Sequence, residues 1–122
     1  MVTVIHGVSR LMNDTNDTGW SWANPVQHEI SLVAEDRHID MFGHVNNAWY
    51  IAWAMDCAWA HSDALGLDFA AYERIGAGCV VRHHDYTYHT PAMPGDEIRV
   101  GTWIHETDGK LQMRRGIEMR RG

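Results

Sequence analysis

The chain has few of the features that would assign it quickly. Its 122 residues include two cysteines, Cys57 and Cys79, too few for a disulfide framework or a four-cysteine zinc site. No apolar run reaches the roughly 18 residues that a membrane-spanning helix needs. The first apolar stretch is broken by His6 and Arg10, so the chain does not open on a signal-peptide pattern. Excess positive charge is missing too: 10 basic against 16 acidic residues leave a net charge of −6, which argues against a general nucleic-acid binder. The expectation is a soluble protein of the reducing cytoplasm, with neither nucleic acid nor a membrane as partner. What remains is ordinary globular composition, 45% hydrophobic and 21% charged. A chain of this length suits one domain that buries about two-thirds of its unfolded surface.

Patterning divides the chain at Pro25. Residues 1–25 show little periodicity, and Asn13 to Gly19 are nearly all turn formers, so this stretch reads as a loosely ordered N-terminal extension pinned by Trp20 and Trp22. Residues 26–122 read as the folded domain. From 26 to 35, Val26, His28, Ile30, Leu32 and Ala34 alternate with Gln27, Glu29, Ser31 and Glu35, the period of a half-buried strand. A loop punctuated by Gly43 follows. Asn46 or Asn47 suits a helix N-cap, and the Gly- and Pro-free stretch from 48 to about 65 predicts a long helix stopped by Gly66. Helical spacing gathers Tyr50, Ile51, Ala54, Met55, Cys57, Ala58 and Leu65 on one broad side, with Asp56 and Asp63 opposite, flanked by Trp49, Trp53 and Trp59. A short helix is expected over Phe69 to Arg74, then strands over 79–90, 97–106 and 110–121, the last two joined by an Asp108-Gly109 hairpin turn. The order gives an α+β class in which one long helix fills an antiparallel sheet.

The densest polar cluster is Asp40-Met41-Phe42-Gly43-His44-Val45-Asn46-Asn47, where the loop enters the long helix. The first turn of a helix has unpaired N–H groups and a partial positive charge, able to hold an oxygen that becomes negative during reaction. Gly43 lets the loop bend close to a ligand. A loop of this length can fold the Asp40 carboxylate back over the helix start, where it can attack an acyl carbon or take a proton from water. The competing reading is plain capping: Asp40 closing its loop and the Asn pair closing the helix.

Beyond these local readings, the run Asp40-x-x-Gly43-His44-Val45-Asn46-Asn47-x-x-Tyr50-Ile51-x-Trp53 resembles the signature that opens the central helix of hot-dog-fold thioesterases of the 4-hydroxybenzoyl-CoA thioesterase type. Ala64-Leu65-Gly66-Leu67-Asp68-Phe69 resembles the segment after that helix, and Tyr88-x-x-Pro91-Ala92-x-x-Gly95-Asp96-Glu97 resembles a later turn. The resemblance implies a hot-dog fold, assembly into homodimers or homotetramers, and hydrolysis of an acyl-CoA thioester with no metal and no cofactor beyond the CoA of the substrate. It implies Asp40, Asn47 and His44 as the catalytic positions, with a backbone amide near Asn47 receiving the thioester carbonyl. Gly43, Val45, Asn46 and Tyr50 are its substrate-binding positions, His44 and Asn46 mainly shaping the loop. Two departures stand out. The family's last strand is missing after residue 121, which predicts truncation or an exposed sheet edge, and Thr90 stands where many relatives carry a basic residue.

Other readings compete. The His44-to-Trp53 run also resembles plant-type acyl-carrier-protein thioesterases, although Phe42 stands where those carry an Asn, and a non-catalytic acyl-binding module of the same fold is a third option. His38, Asp40 and His44 are of types that hold zinc or iron, but loop spacing does not bring them together. Cys57 reads as core packing and Asp56 as a solvated acid. The three helix tryptophans read as a subunit interface or acyl-pocket wall. Lys110, Arg114, Arg115, Arg120 and Arg121 crowd the last strand, where Lys110, Arg114 and Arg120 read as a solvated face or a contact to CoA phosphates.

Overall fold

The computed structural model describes residues 2–5, 11–12, 22–76, 78–81, 83–107 and 112–121. Three antiparallel strands form the body of the sheet: β3 (His28–Val33), β5 (Glu97–Thr107) and β6 (Gln112–Arg121). Ile30, Val100 and Met119 stand in one cross-strand row, the register that puts the apolar alternation of each strand on a shared face. The expected hairpin residues Asp108 and Gly109 lie outside the described residues, but the strands they would join pair antiparallel, with an irregularity between Ile104 and Glu106.

Two short strands from the N-terminal segment, β1 (Val2–Ile5) and β2 (Leu11–Met12), pair parallel with β6, and β4 (Val80–Val81) pairs parallel with β1. The sheet order is β3-β5-β6-β1-β4, with β2 also on β6. So these parts of the anticipated loose extension belong to the sheet, and they lie along the edge that a missing last strand was expected to expose. Asn13 to Gly19, and Trp20, lie outside the described residues. Trp22 behaves as expected: it packs over Gly101 on the face of the sheet away from the long helix, and a Cβ on Gly101 would sit 3.0 Å from its ring.

The long helix, α1 (Asn47–Ala64), lies across the other face. Asn46 is its N-cap: the side-chain Oδ1 accepts from the Ala48 N–H at 3.0 Å. Leu65 closes it and Gly66, at φ +80°, turns the chain away. The buried positions are Tyr50, Trp53, Ala54, Cys57, His61 and Ser62, packed on Ile98, Val100, Ile117 and Met119. This corrects the expected face. Trp53, placed beside the polar side, is buried, whereas Ile51 and Leu65 are exposed. A helix that is apolar nearly all round has no strong phase of its own, so the elements that cover it decide which side is inside. The second helix, α2 (Phe69–Ile75), is capped by the Asp68 carboxylate and ended by Gly76 at φ +73°. The strand expected over 79–90 is reduced to Val80–Val81; residues 83–89 pair with no strand among the described residues. Their alternation survives in ring stacking of His84 on Tyr86 and of Tyr86 on Tyr88, at 5.5 and 6.4 Å. No helix among the described residues is long and apolar enough to cross a membrane.

Candidate active site

The Asp40 loop is closed by its own backbone. Asp40 N–H donates to the His44 carbonyl and Gly43 N–H to the Asp40 carbonyl, both at 3.0 Å, and Ile39 bridges Val45. The Asp40 Oδ1 accepts from Phe42 N–H at 2.9 Å, an Asx turn that fixes the carboxylate from below. Its Oδ2 makes no hydrogen bond among the described residues. Gly43 sits at φ +79°, where L side chains are strained, and a Cβ there would meet nothing within 4 Å. The glycine's positive φ serves the turn, and Gly43 is not among the residues that line the cavity at this end of the helix.

Two backbone bonds and one to a side chain tie this region to its surroundings. Val45 N–H donates to the Ala92 carbonyl at 3.0 Å, Asn46 N–H to the His38 carbonyl at 2.9 Å, and Ala92 N–H to the Tyr50 hydroxyl at 2.9 Å. Tyr50 thus holds the Pro91-Ala92 turn against the first turn of α1. Burial pushes its hydroxyl pKa up. The same cause raises Tyr88, whose ring lies 5.3 Å from that of Tyr50, and pushes Tyr86 up to about 12. His38 is a bracing residue the sequence did not reveal. It is buried, its Nδ1 accepts from Glu35 N–H at 2.9 Å, and its ring packs edge-on against Trp49 and Trp53 at 4.5 and 5.1 Å. Its spacing to Asp40 and His44 gives a ligand reading that the sequence does not favour, and no sign of this bracing role. His44 is exposed, and no three metal-binding side chains converge among the described residues.

A cavity of about 450 Å³ opens where these pieces meet, lined by Asp40, His44, Asn47, Tyr50, Tyr88 and Thr90 among others. Of the expected site residues, Asp40, His44, Val45, Asn46, Asn47 and Tyr50 all border it; Gly43 does not. Their parts differ. Val45 is a buried strut, and Asn46 is committed to the helix cap. The Asn47 N–H has no partner among the described residues, since its neighbour Ala48 takes the cap and Trp49 N–H bonds the Asn46 carbonyl at 3.0 Å. One cavity thus presents a carboxylate with a free oxygen and an unpaired amide at the positive end of a helix, which together can attack a carbonyl and hold the oxyanion that forms.

Of the bases of the last strand read as a solvated face, Lys110 lies outside the described residues, Arg114 is exposed as expected, and Arg120 departs from expectation. Arg120 is not solvated: it pairs at 2.6 Å with the buried Glu118, whose other oxygen accepts from Ala23 N–H at 3.0 Å. Arg121 pairs with Asp96 at 3.2 Å, and Arg115 points inward, buried behind α1. The sequence did hold a signal for Arg115, because it shares the odd-numbered face with Met113, Ile117 and Met119. Cys57 is core, as expected: it is fully buried, its thiol donates to the Val100 carbonyl at 3.3 Å, and burial pushes its pKa up to about 12.

Comparison with known proteins agrees with this architecture. No curated protein matches the chain. A family model, the thioesterase-like superfamily, matches residues 33–114, from the end of β3 through the Asp40 loop and both helices into β6. The chain therefore belongs to the thioesterase-like superfamily, and its α+β arrangement of one long helix against an antiparallel sheet is the hot-dog fold.

Proposed function

We propose that the protein hydrolyses an acyl-CoA thioester to the free acid and CoA, with Asp40 as nucleophile or general base and the Asn47 amide as oxyanion donor. The observation that carries this reading is the shared cavity: it is lined by Asp40, whose Oδ2 is unengaged among the described residues, and by Asn47, whose N–H is likewise unpaired. In the nucleophilic route Oδ2 bonds the acyl carbon, the C–S bond breaks, the CoA thiolate takes a proton, and water then splits the mixed anhydride. In the general-base route Oδ2 takes a proton from water as the water oxygen bonds the acyl carbon, and the same C–S bond breaks. Both routes sum to thioester plus water giving acid plus thiol, and neither calls for a metal or further cofactor. His44 and Tyr50 border the space that the substrate would enter.

A homodimer is part of this reading. The run 83–89, which joins no strand among the described residues, carries exposed His84 and Tyr88 beside the site, a surface suited to a second copy. The test is a panel of short, medium and aromatic acyl-CoAs with thiol release followed directly. Release from at least one is expected, and silence across the panel overturns the proposal. Single turnover in ¹⁸O-water tests the nucleophilic route, because label in Asp40 requires an anhydride that water opens at the Asp40 carboxyl carbon, which the general-base route never forms. Presenting the same acyl group on a carrier protein decides between CoA and carrier; faster release from the carrier would favour the plant-type resemblance.

A further inference from the structure

A second cavity lies further along α1, lined by Met55, Ala58, Trp59 and Ser62 of the helix, Tyr72 of α2, Cys79, Val81, and Met113 and Arg115 of β6. It shares no lining residue with the Asp40 cavity. Its helix residues lie eight to fifteen positions past Asn47, on the order of 12–22 Å at the helical rise. It holds about 70 Å³, room for several water-sized groups. Exposed Trp59 and Cys79 line it too, so it communicates with solvent.

The unusual wall is Arg115. Only 5% of it is exposed, yet both hydrogen bonds of its guanidinium go to neutral groups: Nη1 lies 2.8 Å from His61 Nδ1 and donates to Thr102 Oγ1 at 3.1 Å. Nε and Nη2 make no hydrogen bond with any described residue, and no carboxylate stands among the groups whose charge it feels. Since His61 accepts through Nδ1, its ring is neutral, and burial together with the Arg115 and His28 charges holds its pKa below the usual histidine value. A guanidinium stays protonated even when buried, and a buried cation without a counter-charge is costly. The edge left over, Nε–H beside Nη2–H, is the planar fork that meets a carboxylate with two parallel hydrogen bonds. The walls around it are mostly apolar and supply no second cation, which suits a singly charged head on a short apolar body.

We propose that this cavity binds a small monocarboxylate, its head on the free edge of Arg115 and its apolar body against Met55, Ala58, Val81 and Met113. The site is separate from the Asp40 cavity and does not depend on the hydrolytic reading.

The full chain labelled with ¹³C at its methionine methyls tests this, with butyrate and benzoate as probes and butyramide and benzamide as uncharged matches of the same shape. Saturable shifts of the Met55 and Met113 resonances are expected with the acids, with the amides at least tenfold weaker. Met41, at the tip of the Asp40 loop, stays unshifted. Arg115→Gln weakens the acids at least tenfold, and Asp40→Asn leaves their affinity unchanged. Equal binding of acid and amide, shifts at Met41 alone, or no saturable shift overturns the site. Should Arg115→Gln fail to fold, Ala58→Leu fills the cavity from its own wall with the guanidinium in place. It should abolish the Met113 shift, and wild-type affinity in that variant would also overturn the proposal.

Discussion

The two ends of α1 are built on opposite plans. At the N-terminal end Asn46, Asn47 and Ala48 are exposed, loop and cap bonds are joined by the ties of Val45 and Tyr50 to Ala92, and one amide is left without a partner among the described residues. In the C-terminal half Cys57, His61 and Ser62 are buried; Cys57 and His61 find partners on distant strands, Val100 and Arg115, and Ser62 bonds the Leu67 carbonyl just past the helix. Burial shifts titration at both ends: it raises Cys57 to about 12 and lowers His61 and Arg115 in the packed half, and it raises Tyr50 and Tyr88, which line the Asp40 cavity, and Tyr86 stacked on Tyr88, the last to about 12. Perturbed pKa values therefore mark packing here and do not tell the two ends apart. The open end brings a carboxylate and a helix-end amide to one cavity, the parts on which the proposed hydrolysis rests; the packed end sets a buried guanidinium beside a cavity open to solvent.

Substitutions at each end should separate stability from activity. Ile117→Ala, in the core under α1, should cost about 2–5 kcal/mol of stability by removing buried methyl groups and leaving a cavity. Thiol release per folded molecule should stay near wild type; urea unfolding beside a thiol assay measures both, and a loss of turnover without a loss of stability would break the contrast. Asn46→Ala removes the helix cap and should cost only about 1 kcal/mol. It should lower thiol release more than Ile117→Ala does, because it loosens the turn that presents the Asn47 amide. The smallest effect concerns acid. His61 is held neutral in the fold and has a lowered pKa, so the unfolded chain binds a proton that the folded chain refuses. Its contribution is complete above the usual histidine pKa of about 6.5 and is lost as pH falls below that. His61→Gln keeps an acceptor for Arg115 and should flatten the fall in urea midpoint through this window; an unchanged slope would show that His61 does not carry it.

Legibility in the sequence followed the same divide. The open end is local: Gly43 for the turn, Asn46 for the cap and Asp40 a few residues earlier can all be read in order along the chain, and they border one another in space. The strands β3, β5 and β6 announced themselves by alternation. The packed half depends on which elements meet, which no local pattern states. Trp53 was placed near the polar side because an apolar helix has no preferred face until α2 and the sheet cover it. Arg115 stands among the bases that crowd the last strand, and its odd-numbered neighbours already assign it to the inner face, but not to a partner. His38 carries a ligand reading that the sequence does not favour, and spacing cannot reveal that its Nδ1 is taken by Glu35 three residues back. The parallel strands β1 and β2 gave no signal, since so short a stretch carries too few alternations to be recognised.

The most direct measurement is thiol release from the best acyl-CoA of the panel, wild type against Asp40→Asn, with thermal unfolding of both. The substitution leaves the side-chain oxygen that accepts from Phe42 but removes the charge, so the loop should hold and the melting temperature should change little. Turnover should fall by roughly a hundredfold or more, the scale of losing a positioned acid–base group. Full turnover by a folded Asp40→Asn protein would contradict the account.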